Sequence, residues 1–198
     1  MKVAMISGIR NARGPAREAC DALMEGVRAS GGDGPRVLLP ALHLERCRHC
    51  EQGARPCVLR GRCAVEDDFP AVVRAIRDSD ASVFSTAVYP AGPSPAMRAF
   101  LHRLGQICRH GPTRESFRGT PAAVICVGGG ARHCAAKLAD VLNGCGFDVR
   151  EVLTAGRQAP HLKRDELRAA GRRLVADLPR DTRAGADGGA GPERRAAG

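Results

Sequence analysis

Ala81-Ser82-Val83-Phe84-Ser85-Thr86-Ala87-Val88-Tyr89-Pro90-Ala91-Gly92-Pro93-Ser94-Pro95-Ala96-Met97-Arg98-Ala99-Phe100-Leu101 is the stretch that decides how this chain folds. Ala81–Thr86 is a short apolar, β-rich run of the length of one buried strand. Ala87–Ser94 is a loop stiffened by Pro90, Pro93 and the adjacent Pro95. Ser94-Pro95 reads as an N-cap followed by proline at the first helical position, opening a helix that ends near Cys108. Strand, loop and helix in that order make the repeating half of a parallel crossover.

Outward from it the same unit recurs. Lys2–Ser7 is a first strand, and Pro15 opens a helix with Ala16, Ala19, Leu23 and Val27 at three-to-four spacing. Arg36–Leu39 is a second strand, closed by Pro40. Asp68 is placed to cap a helix running to Asp78, and Asp67 and Asp68 read as its N-terminal carboxylates. Pro121–Val127 is a fourth strand, leading through Gly128-Gly129-Gly130 into a helix with Leu138, Val141 and Leu142 on one face. Phe147–Leu153 is a fifth strand and Lys163–Leu178 the last helix. Five strands fed by crossover helices predict an α/β fold: a three-layer, doubly wound, five-stranded parallel sheet over residues 1–179. Beyond Pro179 the composition turns to Gly, Ala, Arg and Asp, and residues 180–198 are expected to be a disordered tail.

In an open α/β sheet a ligand binds outside the carboxyl ends of the strands. Three loops leave strand ends on that edge. Ser7–Gly14 leads into a helix start, where backbone N–H groups with Arg10 and Arg13 make an anion site. Ala87–Ser94 offers exposed backbone and the chain's only tyrosine, Tyr89. Gly128, Gly129 and Gly130 lack side chains, so a flat ring can approach the main chain. Each alone reads equally well as a turn. Together they point to a planar, phosphate-bearing ligand.

The second informative segment is the cysteine-rich loop of residues 47–69. Cys47, Cys50, Cys57 and Cys63 are spaced C-x2-C-x6-C-x5-C, while five further cysteines are scattered. The sequence shows no signal peptide and no apolar run of membrane-spanning length, so a cytoplasmic, reducing location is expected. There, such a group binds metal or does redox chemistry rather than forming a disulfide frame. Three readings stay open: a [4Fe–4S] cluster held by four thiolates, a zinc site, or metal-free thiols. His49 is a candidate extra ligand or a solvated loop residue. Cys20, Cys126, Cys134 and Cys145 sit at apolar spacing and read as buried small hydrophobes. Cys108, beside Arg109 and His110, is the other candidate for a lowered thiol pKa.

The formal net charge of +10 is carried by arginine, since Lys2, Lys137 and Lys163 are the only lysines among 31 basic residues. With no Trp, one Tyr and five Phe there is no set of aromatic stacking platforms, which disfavours nucleic acid as a partner. Attraction of anionic cofactors is the more useful consequence. No Ser/His/Asp or Cys/His constellation can be assembled, which argues against hydrolysis.

These residues resemble the flavodoxin-like NADPH-dependent FMN reductase family, in particular its iron–sulfur flavoprotein branch. Ser7, Gly8 and Gly14 match the family's Ser-Gly-Ser-Pro-Arg-x-x-Gly-Asn-Thr phosphate loop. Val88-Tyr89, Ser94, Met97-Arg98-Ala99-Phe100-Leu101 and Arg103 match its Pro-Val-Tyr-Phe-Gly, Ser and Leu-Lys-Ala-Phe-Ile-Asp-Arg. Gly128–Gly130 resembles the loop against the isoalloxazine, and Cys63-Ala64-Val65-Glu66-Asp67-Asp68-Phe69 fits the iron–sulfur branch. The likeness covers about residues 1–155. Departures are Ile9, Arg10, Asn11, Pro15 and Ala16 in the phosphate loop, Ala87, Pro90, Ala91 and His102 in the second motif, and Gly53 where the branch has a cysteine. Pro15 removes an N–H donor and Ala16 a hydroxyl, with Arg10 and Arg13 as the electrostatic compensation.

The resemblance implies strand order 2-1-3-4-5 and FMN held by Ser7, Gly8, Arg10, Arg13, Gly14, Ala87, Val88, Tyr89, Gly128, Gly129 and Gly130. It implies a [4Fe–4S] cluster on Cys47, Cys50, Cys57 and Cys63, electrons from NAD(P)H or a ferredoxin-like donor, a small-molecule or redox-protein acceptor, and a homodimer. The alternative is a metal-binding or regulatory domain that keeps the fold without flavin.

Overall fold

The computed structural model describes residues 1–11, 13–50, 56–90, 92–156 and 163–179. The expected tail at 180–198, the Gly53 position and Ala91 lie outside the described residues. Strands β1 (Val3–Ser7), β2 (Arg36–Leu38), β3 (Ala81–Tyr89), β5 (Pro121–Val127) and β6 (Asp148–Ala155) pair in parallel in the order β2-β1-β3-β5-β6. A two-residue β4 (Gly92–Pro93) folds back antiparallel on β3, pairing Val88 with Pro93 and Tyr89 with Gly92. With that hairpin set aside, the order is the expected 2-1-3-4-5.

The helices are α1 (Pro15–Ala29), α2 (Pro56–Arg60), α3 (Phe69–Arg77), α4 (Pro95–Ile107), α5 (Gly111–Glu115), α6 (Ala131–Gly144) and α7 (Arg164–Leu174). They cover both faces of the sheet. Alternation along the strands sends Ile6, Phe84 and Val124 to one face, where they pack with Phe69 and Ile76 of α3, Phe100 and Leu104 of α4, and Leu138 and Leu142 of α6. Met5, Val83 and Ile125 point the other way, onto Leu23, Met24 and Val27 of α1 and Leu167 and Leu174 of α7. Strands β1 and β5 are buried almost throughout, while β6, at the edge, alternates half-buried and exposed residues. Two hydrophobic cores, one per face, make the three layers.

Most predicted bounds shift by a residue or two. Strand β3 runs on to Tyr89 rather than stopping at Thr86, because the hairpin with β4 prolongs the ladder. The last helix ends at Leu174, not Leu178. The cysteine loop is not wholly irregular, since α2 lies inside it. Ser94 caps α4 as expected, its Oγ accepting from Met97 N–H at 3.4 Å. Asp68 stands at the N-cap position of α3 but makes no side-chain cap bond. Its Oδ2 instead accepts from His43 N–H at 2.8 Å, and Asp67 Oδ1 takes Phe69 N–H at 3.1 Å. The reading of Asp68 as the side-chain cap is therefore corrected: Asp67 takes the first N–H of α3, and both carboxylates also tie the cysteine segment down.

Candidate functional site

Because β1, β3 and β5 are neighbours and parallel, the three glycine-bearing loops that follow them emerge side by side. The first turns at Gly8, whose N–H donates to Ser85 O on β3 at 2.8 Å. A Cβ there would stand 2.4 Å from Ser94 Oγ and 2.8 Å from Met97 Cβ, so glycine lets the loop lie against the start of α4. Ser7 is buried, and its Oγ accepts from Ile9 N–H at 3.3 Å. Arg10 and Arg13 are exposed on the loop. Gly14 is the N-cap of α1 with φ 127°, and Pro15 occupies the first helical position, so one donor is absent from that turn.

The second and third loops touch. Gly128, at φ 137°, is in the left-handed region, and a Cβ there would meet Val88 Cβ at 3.2 Å and Val88 O at 3.3 Å. Its N–H donates to Ala155 O at 2.7 Å, holding the loop to β6. Among the described residues, nothing lies within 4 Å of where side chains of Gly129 and Gly130 would begin. Ala87 and Val88 are half-buried and Tyr89 is exposed. Thr86 Oγ1 accepts from Ser94 N–H at 3.0 Å, closing the hairpin loop onto the strand end. Ser7–Gly8, Ala87–Tyr89 and Gly128–Gly130 thus form one shelf at the ends of neighbouring strands, with Arg10 and Arg13 exposed on the first of its loops.

All four cysteines of the second candidate set line one cavity of about 340 Å³. Cys47 and Cys50 come from the loop after the 3-10 turn Leu39–Ala41, Cys57 from α2, and Cys63 from the connection to α3. They are free thiols and half-buried. Arg48, Arg103 and Arg109 line the same cavity. Arg103 projects from α4 and is almost wholly buried, its side chain 1% exposed. Its Nη1 donates to Asp67 Oδ2 at 2.5 Å and its Nη2 to Asp67 Oδ1 at 2.9 Å. Nη1 also donates to Glu45 O at 3.1 Å, and Glu45 N–H donates to Asp67 Oδ2 at 2.8 Å. The guanidinium lies 4.2 Å from the Phe69 ring centroid.

Burial pulls the Asp67 carboxyl up, but the Arg103 guanidinium and the N–H groups of Glu45 and Phe69 outweigh it and hold the group below its ordinary value. Arg103 Nε has no partner among the described residues. A buried donor left over beside four thiols is what an anionic sulfur cluster would satisfy. Thiolate ligands, three guanidinium groups and that orphaned N–H together fit an iron–sulfur group.

Sequence reasoning missed Arg103 as the keystone, although a signal was there. Position 103 falls between Phe100 and Ile107 on the apolar face of its helix, where a charge demands a partner. The remaining cysteines are buried as expected. Burial pushes the Cys20 thiol up to about 11 and raises Cys126 as well. Cys108 is buried against Cys145, and that contact together with burial raises its thiol rather than lowering it as expected.

With this geometry in place, the match to known proteins is specific. A family model described as NADPH-dependent FMN reductase covers residues 1–157. The chain belongs to that family. The Ser7–Gly14 loop, the hairpin loop and the Gly128 turn all lie within the matched residues. It is similar to an iron–sulfur flavoprotein of Archaeoglobus fulgidus, 26% identical over 104 residues, which are 52% of this chain and 46% of that protein. The match thus spans less than half the length of that relative. Among solved structures, RosB with a bound riboflavin-phosphate intermediate superposes with a TM-score of 0.69 at 15% identity, covering 90% of this chain and 81% of the other. A flavone reductase gives 0.65 at 20% identity, with coverage of 89% and 62%, and an NADH:FMN oxidoreductase 0.57 at 19%, with 91% of each. These three likenesses show the fold.

Proposed function

We propose that this reductase binds FMN on the shelf formed by Ser7, Gly8, Gly14, Ala87, Val88, Tyr89 and Gly128–Gly130, with Arg10 and Arg13 attending the phosphate, and that Cys47, Cys50, Cys57 and Cys63 hold a [4Fe–4S] cluster. When bound, FMN supplies hydride acceptance from NAD(P)H and onward delivery of electrons, and a cluster would add single-electron transfer. The observation that carries the reading is the contact of Gly128 with Val88 beside the Gly8 turn, which leaves backbone rather than side chains facing a planar ligand.

The chain's own residues have separable tasks. Loop N–H groups and the two exposed arginines attract a phosphate dianion at the start of α1. Val88 and the three glycines set the floor on which a ring is placed, and Tyr89 stands at its exposed margin. The thiolates bind the iron, Arg103 offsets their charge, and the Asp67 carboxylate fixes Arg103. Helix α4 joins the two places: Ser94 and Met97 touch the shelf, and Arg103 reaches the cavity roughly 14 Å further along the axis at 1.5 Å per residue. A small molecule or a redox protein is the acceptor, with NAD(P)H or a ferredoxin-like protein as donor. A homodimer with the shelf near the subunit boundary and a cytoplasmic location complete the proposal. No described helix is long and apolar enough to cross a membrane.

Anaerobic mixing with NADPH tests the reaction. Bleaching of the bound-flavin absorbance, recovered on admission of a quinone, supports the assignment. Flavin that binds yet stays oxidised with NADPH and NADH alike refutes the nicotinamide donor.

A further inference from the structure

We propose that Arg103 sets the reduction potential of the four-thiol centre, its unpartnered Nε–H donating to sulfur and its buried charge favouring the electron-rich state. Asp67 is the residue that positions it. This role rests on the four-cysteine cluster assignment proposed above and gives that centre a built-in bias. Arg103 supplies no ligand atom. It comes from α4, whereas the four cysteines lie in the segment between the 3-10 turn Leu39–Ala41 and α3.

The guanidinium is committed on every side but one. Asp67 grips it end-on through Nη1 and Nη2, and Glu45 O takes a second bond from Nη1. Phe69 covers one face, its ring centroid 4.2 Å away. In a planar fork held by its end, Nε–H points along the remaining edge. That donor has no partner among the described residues, although the side chain is 1% exposed. An ion pair serving stability alone has no reason to leave a buried donor over. Arg103 lines the cavity together with the four thiols. Burial works against its charge, and Asp67 and Cys63 sustain it. The other cations on the cavity weigh less: Arg48 is 63% exposed and matched by Glu45 at 2.7 Å, and Arg109 is exposed, so water screens both.

Gain of one electron adds negative charge to the metal–sulfur group. A buried N–H donor and a fixed cation therefore stabilise the reduced state more than the oxidised one. No bond forms or breaks in that step, and Arg103 keeps its proton throughout. The electron comes from reduced flavin in the protein and from dithionite in the test. Asp67 acts in two ways, holding the guanidinium in place and offsetting part of its charge.

The test is an anaerobic potentiometric titration of the reconstituted full-length protein with dithionite, followed by the electron paramagnetic resonance signal of the reduced cluster. Arg103→Lys retains the charge but not the planar fork. It should lower the reduced-to-oxidised ratio at fixed potential about tenfold, a fall of about 59 mV for one electron. Asp67→Asn keeps an acceptor for the guanidinium and removes the offsetting charge, and should move the potential up. Opposite shifts are the signature, because a purely structural pair predicts no shift in iron-loaded protein. Where either variant loses iron, Asp67→Asn combined with Arg103→Gln, which leaves no lone charge in the core, decides: a lower potential supports the role and the parental value overturns it. Parental potentials in both single variants, or shifts of one sign, overturn it with the cluster assignment intact. A parent protein that takes up neither iron nor sulfide overturns the cluster assignment and this role with it.

Discussion

Arg103 carries a full charge in the core of the protein, and its stability depends on one carboxylate. Breaking a buried pair by removing one partner costs about 3–5 kcal/mol, because the other charge stays behind unmatched. Asp67→Asn should therefore lower unfolding free energy by about that amount in chemical denaturation. The pH dependence has a fixed sign. The folded Asp67 carboxyl lies below its unfolded value, so the unfolded chain takes the proton first as pH falls. The contribution is complete above the ordinary carboxylate value of about 4 and is lost as pH drops through the lowered folded value. Asp67→Asn should flatten that acid limb, and an unchanged limb would show that other carboxylates govern it. At the proposed flavin shelf, Gly128→Val places a branched side chain at φ 137° against Val88. Strain of about 1–3 kcal/mol predicts FMN binding weakened about tenfold, checked by quenching of flavin fluorescence. Neither residue has the same visibility in sequence. The glycine run is plain in the sequence, whereas Asp67 reads there as a helix carboxylate alone, and only its distant partner reveals the ion pair.

At the scale of elements, the cysteine segment separates from the proposed flavin shelf. It connects β2 to α3, is closed at its base by the exchange between His43 and Asp68, and reaches the sheet through α4. Cys57→Ser with Cys63→Ser should consequently leave fold and flavin content unchanged while iron and acid-labile sulfide are lost. Loss of flavin in the same variant would contradict the separation. The regular elements were legible because buried parallel strands are apolar runs: Pro121–Val127 is observed with its predicted bounds. Helices α2 and α5 were not, since five residues are too few to show a period, and Pro56-Cys57-Val58-Leu59-Arg60 and Gly111-Pro112-Thr113-Arg114-Glu115 read as loops. The Val88–Gly92 hairpin hides behind Pro90, a residue that normally breaks a strand. Clusters such as Cys47, His49 and His102 are harder still, because α4 is distant in sequence and only the packing of the loop brings His102 near.

The whole molecule is a basic α/β member of the NADPH-dependent FMN reductase family whose parallel sheet presents the proposed flavin shelf at one edge and whose α4 leads from that shelf to four thiols. Its charge of +10 favours an anionic cofactor and anionic donors over long distances, so NADPH oxidation should slow as ionic strength rises. Sedimentation should report twice the 20.9 kDa chain mass if the proposed homodimer forms, and a monomer would remove subunit contact from the flavin site. The most direct measurement is the ultraviolet–visible spectrum of anaerobically purified protein, with flavin, iron, zinc and sulfide assayed on the same sample. Flavin bands over a broad visible shoulder, with iron and sulfide present, are the expected result. Colourless protein that takes up neither added FMN nor iron and sulfide would contradict the account.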